Sequence, residues 1–308
     1  MRRTIVLGVI ILSGVVASAI LGAQQGAAPA GQGRQAGAGG GGGRGGPPVQ
    51  AIEKVKDNLY LIQGQGGNTA VYVAQSGVVI VDTKNPNNGQ AILDQIKTVT
   101  DKPVTHIINT HTHGDHNGSN VFFPASVEIV VQENTKGYME KMPAFQEAAN
   151  KNGLPDRTFK DKMSVLKGKD QIDLYYFGAA HTGGDAFVVF KNLRVMHAGD
   201  AFANKGFPLI DRANGGSGAE YSKTLAKAIA GIRNIDTIIP GHNPVSTPAD
   251  LQQYQQYTAD LFTQVEAAAK AGKDANAAFA GLNLTKYTGY RSDRVKGAVD
   301  AIYAELGK

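Results

Sequence analysis

From Ala51 onward the chain alternates short apolar runs with turn residues. The runs Ala51–Lys56, Leu59–Gln63, Ala70–Ala74 and Val78–Asp82 are separated by segments containing Asn, Gly or Ser. Apolar runs of this length, bounded by turn residues, are typical of strands joined by hairpins. The pattern therefore predicts an antiparallel β meander at the start of the folded region.

Helical spacing first appears after this meander, and strands and helices are mixed from there on. Pro86–Val99 places Ile92, Leu93 and Ile96 on one face, and a proline suits the first turn of a helix. Further predicted strands are Val104–Asn109, Val127–Val131, Ile172–Phe177, Phe187–Phe190, Arg194–His197 and Thr237–Ile239. Further predicted helices are Glu133–Lys151, interrupted at Pro143, then Ala219–Ile232 and most of the chain from Pro248. No second break in composition follows, so we expect residues 51–308 to form one α+β domain.

The first 50 residues have a different pattern. Residues 1–23 begin with two arginines and continue as an apolar run that ends in small residues, which is typical of a secretory signal peptide. The alternative is an uncleaved membrane anchor, because the run approaches the ~20 residues that span a bilayer. Residues 24–50 are mostly Gly, Ala, Gln and Pro, which predicts a disordered linker. We therefore expect a periplasmic or secreted protein.

Charge and cysteine content limit the possible functions of the body. The chain has 31 basic and 26 acidic residues, but four of the basic residues and none of the acidic ones precede residue 51. The body is thus close to neutral, which argues against nucleic acid as a partner, since that binding requires many phosphate-neutralising cations. The chain has no cysteine, so disulfides, thiolate nucleophiles and cysteine metal ligands are excluded.

The residues with the clearest chemistry are histidines and aspartates that follow predicted strands. Four of them lie within six residues, His111, His113, Asp115 and His116, directly after the strand Val104–Asn109. Three more follow later predicted strands: His181, Asp200 and His242. Imidazole and carboxylate groups are the usual zinc ligands of catalytic sites. The His-x-His-x-Asp-His segment followed by these three pieces predicts a metal site.

The motif and its order resemble the metallo-β-lactamase superfamily over about residues 51–245. The resemblance implies a four-layer αββα sandwich and two Zn²⁺ ions per chain. It implies that the first ion is held by His111, His113 and His181, that the second is held by Asp115, His116 and His242, and that Asp200 bridges the two.

Two features narrow the resemblance. The lack of cysteine excludes the β-lactamases with a Cys ligand at the position of Asp200. An aspartate at this position makes the chain resemble the glyoxalase, lactonase and arylsulfatase-like branches of the superfamily. Flavodiiron relatives carry Glu at the position of His113, so the histidine here favours zinc over iron.

A dinuclear zinc site predicts hydrolysis of a small carbonyl substrate: a lactam, lactone, ester or thioester. Two zinc ions would share a water and lower its pKa toward ~7, so that a metal-bridging hydroxide attacks the carbonyl. Asp115 is the expected catalytic residue, because it can orient the nucleophile and carry a proton to the leaving group. The alternatives are an iron-dependent, persulfide-oxidising enzyme with one metal, and a phosphodiesterase of the same fold.

Other residues near the motif have weaker predictions. Asp185 is expected to accept a hydrogen bond from a metal-binding histidine, as the carboxylates around such sites usually do. The loop after Asp200 can line the pocket, and it carries Asn204, Lys205 and Arg212. The positive side chains of Lys205 and Arg212 are candidates to hold a substrate anion. His106 and His197 lie on strands and are expected to pack in the core or to support the metal ligands, and not to bind metal. The preferred substrate and the oligomeric state stay open, as does a membrane partner, which would require the N-terminal segment to be retained.

Overall fold

The strands belong to two sheets that pack face to face. The computed structural model describes residues 47–206, 208–290 and 294–308. The first sheet has the order β1 to β7: Glu53–Lys56, Leu59–Ile62, Thr69–Val73, Val78–Val81, Val104–Ile108, Glu128–Gln132 and Arg157–Phe159. The second sheet has the order β12-β11-β10-β9-β8: Thr237–Pro240, Val195–Gly199, Phe187–Phe190, Ile172–Tyr175 and Lys162–Val165. The expected signal peptide, and the expected linker apart from residues 47–50, lie outside the described residues.

The strand directions confirm the predicted meander. Strands β1 to β4 pair antiparallel, and β4 to β7 then pair in parallel through helical crossovers. In the second sheet, β8 to β11 are antiparallel and β12 joins β11 in parallel. Strands β7 and β8 were not predicted, because they are only three and four residues long and mix charged with apolar residues.

Helices cover the outer faces of both sheets. In chain order the α-helices are α1 Gly89–Lys97, α2 Gly114–Asn117, α3 Glu133–Met139, α4 Pro143–Gln146, α5 Gly218–Gly231, α6 Pro248–Lys270, α7 Ala275–Ala280 and α8 Lys296–Glu305. The helical stretch expected over Glu133–Lys151 is interrupted at Pro143, as predicted: α3 ends at Met139, α4 begins at Pro143, and a 3₁₀ segment follows. Proline cannot donate a backbone hydrogen bond to a continuing helix. None of the described helices is long and apolar enough to cross a membrane.

Three apolar clusters fill the spaces between these layers. Alternate residues of β4 show how they arise, since Val79 and Val81 join the cluster between the two sheets while Val78 and Ile80 face α1. On the far side, Phe187 and Val189 of β10 pack against α5, α6 and α8. Helix, sheet, sheet and helix layers thus follow one another, which confirms the αββα sandwich expected from the sequence.

Candidate metal centre

Three histidines form one compact cluster at strand ends. His111 and His113 lie on the loop that leaves β5, and His181 lies between β9 and β10. One ring nitrogen from each lies within 4.8 Å of the others, which is close enough to hold one ion. We call these three residues the first ligand group.

Neighbouring oxygens select the nitrogens that face the centre of this group. His113 Nδ1 lies 3.0 Å from His181 Nε2. The other ring nitrogens point outward, where His113 Nε2 lies 2.7 Å from Asp211 Oδ2 and His181 Nδ1 lies 2.8 Å from the carbonyl oxygen of Leu209. A carboxylate and a carbonyl can only accept, so both outer nitrogens donate and both inner nitrogens keep a lone pair for a metal.

The third ring is oriented through a threonine. Thr110 donates its hydroxyl to Asp82 Oδ2 at 2.8 Å, so its oxygen is free to accept from His111 Nδ1, 3.0 Å away. His111 Nε2 is fully buried and has no hydrogen-bond partner among the described residues. A buried nitrogen lone pair without a partner is costly unless a ligand satisfies it, and a metal ion would.

Asp115, His116 and His242 form a second compact cluster, which we call the second ligand group. Their donor atoms also lie within 4.8 Å of one another. His116 Nε2 lies 3.2 Å from His242 Nε2, and Asp115 Oδ2 lies 3.3 Å from the same His242 atom. His116 Nδ1 is held at 2.7 Å by Asp82 Oδ2, so its inner nitrogen faces the cluster.

Asp200 lies between the two groups. Its Oδ2 is 3.2 Å from His242 Nε2 and 3.7 Å from His181 Nε2, so one carboxylate reaches a ligand of each group. Its Oδ1 is buried without a hydrogen-bond partner, and a β-carbon on Gly241 would come within 1.8 Å of this atom. Glycine at 241 therefore provides the space for Asp200, which is placed to bridge two cations.

Burial and charge favour the metal-binding forms of the first ligand group and of Asp200. Burial lowers the pKa of His111 well below its ordinary value and lowers the pKa of His181 to about 4, so both rings are neutral at pH 7. Burial opposes ionisation of Asp200, but the nearby His242 and His116 hold its pKa well below the usual range. Neutral imidazoles and an ionised carboxylate are the forms that bind divalent cations.

In the second group, burial lowers the pKa of His116, but the carboxylates of Asp200, Asp115 and Asp82 raise it well above its ordinary value, so a metal must displace a proton there.

A glycine turn forms one wall of the second ligand group. Gly67 donates its backbone N–H to the Asp115 carbonyl at 2.9 Å, and a β-carbon at Gly67 would lie 2.2 Å from the His116 ring. Asn68 ties the turn to the chain on both sides of His242 through bonds to the carbonyls of Pro240 and Asn243. The turn therefore determines how closely the backbone approaches the His116 ring.

The seven side chains together fit a pair of divalent cations. Their donors are nitrogen and carboxylate oxygen, and two of the donor atoms are buried and otherwise unpartnered. Four of the five rings are fixed by acceptors behind them. The sequence model of the metallo-beta-lactamase superfamily matches residues 62–242, from the end of β2 to the last of the seven.

The chain belongs to this superfamily. It is an enzyme, a hydrolase of the metallo-β-lactamase superfamily with His and Asp groups that can hold metal. Superfamily membership agrees with the resemblance on which the sequence interpretation relied.

Named relatives cover most of the folded region. The chain is 26% identical over 237 residues to the "Metallo-beta-lactamase type 2" of Elizabethkingia meningoseptica, covering 73% of this chain and 89% of that protein. It is 24% identical to "Metallo-beta-lactamase IND-1" of Chryseobacterium indologenes, covering 61% of this chain and 80% of that protein.

Solved structures show the same fold. The DIM-1 metallo-β-lactamase superimposes with a TM-score of 0.59 at 19% identity, covering 70% of this chain and 98% of that one. The inverting sec-alkylsulfatase Pisa1 of Pseudomonas sp. superimposes with a TM-score of 0.72 at 13% identity, covering 83% of this chain and 50% of that one.

Asp185 does not contact a histidine of the metallo-β-lactamase motif, which corrects the sequence interpretation. Its two carboxylate oxygens accept from the backbone N–H and the hydroxyl of Thr182 at 2.9 and 2.6 Å. Burial raises the pKa of this carboxyl to about 7. Asp185 therefore holds the turn that carries His181 and does not orient a ligand ring.

The two basic residues predicted to hold a substrate anion form ion pairs with carboxylates of the protein. Lys205 Nζ lies 2.5 Å from Asp250 Oδ1, and an Arg212 guanidinium nitrogen lies 3.5 Å from Glu305 Oε2. Asn204 Oδ1 accepts from the backbone of Gly206. Protein carboxylates already neutralise both cations, and a substrate role for these residues stays a prediction.

The remaining histidines lie outside the two ligand groups. His106 faces Glu128 on the neighbouring strand, with 3.4 Å between His106 Nε2 and the carboxylate. His197 is buried, and its Nε2 lies 3.2 Å from the Asn68 carbonyl oxygen. Neither joins a cluster that could hold metal among the described residues, which agrees with the packing role expected for them.

Two aspartates that support the ligands were missed in the sequence. Asp82 directly follows the fully apolar strand β4 and accepts hydrogen bonds from both Thr110 and His116. An acidic residue at the end of such a strand could have been recognised from the sequence as a candidate site residue. Asp211 lies on an irregular loop far from His113 along the chain, and no sequence spacing indicated their contact.

Proposed function

We propose that the chain is a dinuclear zinc hydrolase that acts on a small carbonyl substrate: a lactam, lactone, ester or thioester. The observation that carries this proposal is the position of Asp200, whose carboxylate lies within 3.7 Å of ligands from both groups. A bridging carboxylate between two complete ligand groups is suited to two ions and leaves a mononuclear iron site with no role for the second group.

Zinc is the metal that best fits this set of donors. When bound, two zinc ions lower the pKa of a shared water toward ~7 and polarise a carbonyl oxygen. His111, His113 and His181 would hold one ion, Asp115, His116 and His242 the other, and Asp200 both. The imidazole-rich, thiol-free set favours zinc over the oxygen-only sites of magnesium or calcium.

Asp115 is the chain's own candidate for proton transfer. Its side chain is 34% exposed, whereas Asp200 is 9% exposed, so Asp115 is the carboxylate that faces an incoming substrate. In this position it can accept a proton from the attacking water and pass it to the leaving group.

The expected partner is a small molecule. The named relatives are metallo-β-lactamases, which supports β-lactams as candidates. The resemblance of position 200 to the lactonase and related branches supports lactones and esters. Export of the mature protein is part of the proposal, with the N-terminal segment removed. Mass spectrometry of the protein recovered from the producing cells tests it, because an intact N-terminus would contradict cleavage.

The proposal is tested by metal analysis together with a substrate panel. Purified protein is expected to contain two zinc ions per chain and to hydrolyse at least one of a β-lactam, a lactone, an aryl ester or a thioester. A sulfate ester and a phosphodiester serve as comparison substrates. One iron per chain, or hydrolysis of the phosphodiester alone, would contradict the proposal.

A further inference from the structure

One loop supports the first ligand group from behind. We call residues 211–217 the buttress loop. Its backbone is bonded to the segment that carries His181, since Asp211 N donates to the His181 carbonyl at 2.9 Å and Ser217 N donates to the Ala180 carbonyl at 3.0 Å. In the other direction, Gly183 N donates to the Asn214 carbonyl at 2.7 Å. Three backbone hydrogen bonds therefore connect the loop to the turn that carries His181.

The same loop orients a second ligand through a side chain. Asp211 Oδ2 lies 2.7 Å from His113 Nε2 and also accepts from the Asn214 side chain at 2.6 Å. The hydrogen bond from His113, together with that from Asn214, outweighs burial and holds the pKa of Asp211 well below its usual range. Two of the three ligands in the first group thus depend on where the buttress loop lies.

The C-terminal helix α8 fixes the far end of the buttress loop through Glu305. Glu305 Oε1 accepts from the Ser217 hydroxyl at 2.5 Å, and Oε2 accepts from the backbone N–H of Gly218 at 2.8 Å. Arg212, at the start of the loop, lies 3.5 Å from the same Oε2. One carboxylate therefore binds both ends of the loop, and it also lies at the N-terminus of α5, where a negative charge is favoured.

We propose that Glu305 is a positioning residue for the first metal site, acting through the buttress loop on His113 and His181. The inference rests on the two-metal function proposed above. It gives α8 a role in the metal centre, although this helix lies beyond residues 62–242, which carry the superfamily pattern. An amide at position 305 keeps only one acceptor oxygen and no charge, so it cannot accept from both Ser217 and Gly218 or neutralise Arg212. The loop is then held less firmly, and Asp211 no longer keeps the His113 ring in one orientation.

The test compares Glu305→Gln with Asp300→Asn. Asp300 is an exposed acidic residue on the same helix, paired with Lys296, so its variant controls for loss of charge from α8. Zinc affinity is measured by chelator competition, and the electronic spectrum is measured after cobalt substitution, because that spectrum reports ligand geometry and not stability. The unfolding midpoint of the metal-free protein is recorded for each variant.

Glu305→Gln is expected to weaken zinc binding at the first ligand group by at least about threefold, less than the 10–100-fold typical of a residue bonded directly to a ligand. It should also alter the cobalt spectrum, whereas Asp300→Asn matches the wild type in both measurements. Wild-type zinc affinity and spectrum in Glu305→Gln would overturn the inference. A wild-type protein without metal would instead refute the proposed function. If Glu305→Gln fails to fold, Arg212→Met at its exposed position should shift affinity and spectrum in the same direction, and no shift would overturn the inference.

Discussion

The two ligand groups differ in how enclosed they are. In the first group, His111 and His181 are fully buried and His113 is 22% exposed, and each ring is held by an oxygen acceptor behind it. In the second group, His116 is buried, but Asp115 and His242 are 34% and 31% exposed. On the two-metal proposal, the enclosed first group is expected to retain its metal more firmly, and the open second group is expected to face the substrate.

The largest expected effect is on turnover, and it comes from a substitution in the more exposed second ligand group. Asp115→Asn should reduce turnover by about 10²–10⁴-fold, the usual range for loss of a positioned acid or base. Metal content should fall far less, because His116, His242 and Asp200 remain in place. Activity and zinc content of the same preparation give the answer, with Asp94→Asn on the exposed face of α1 as the control. Near-normal turnover in Asp115→Asn would remove this residue from the chemistry.

Substitution of Asp211 or Asp82 should affect zinc affinity at the two ligand groups differently. Asp211→Ala should weaken metal binding only at the first ligand group, by about 10–100-fold, because the Asp211 side chain bonds to a ligand of that group. Asp82→Ala should weaken both metals, since Asp82 holds His116 directly and His111 through Thr110. Stepwise zinc titration of both variants measures this. Equal effects of the two substitutions on both metals would contradict the division into two groups.

How much of this was predictable depends on the residue. The seven metal-site side chains were identifiable because their types are chemically specific and each follows a strand, and the αββα layers followed from their resemblance to a known family. The contacts that support those side chains were not predictable, because the pairs involved meet only after the chain folds. Asp211 meets His113 in this way, and Arg212 of the same loop meets Glu305. For the same reason, Asp185 was assigned to a histidine although its nearest donors are on Thr182.

Steric contact at the wall of the second group provides a finer test. Gly67→Ala would place a carbon against the His116 ring, and overpacking of this kind costs about 1–3 kcal/mol. We expect lower stability and a weaker second metal. Gly137→Ala in α3 is the matched control, because a β-carbon there meets nothing within 4 Å and alanine favours helix. Calorimetry with and without zinc distinguishes the two variants, and the expectation fails if Gly67→Ala behaves like Gly137→Ala.

The last expected effect is a pH dependence of stability, which leaves the two ligand groups unchanged. Lys84 is buried, its ammonium donates to the carbonyls of Ile62 and Gly67, and burial lowers its pKa to about 7 from 10.5. The unfolded chain then binds more protons than the folded one between these two pKa values, so the free energy of unfolding should rise as pH increases from about 7 to 10. Denaturant unfolding of metal-free wild type and Lys84→Met across this range checks it. A rise that is equally steep in Lys84→Met would assign the effect to other groups.

The most direct test of the two-cation centre is anomalous diffraction at the zinc edge from crystals of the zinc-loaded protein. Two peaks are expected about 3.5–4 Å apart, as in other two-metal sites. One peak should be bounded by His111, His113 and His181, the other by Asp115, His116 and His242, with Asp200 in contact with both. A single peak, or peaks away from these seven side chains, would contradict the assignment.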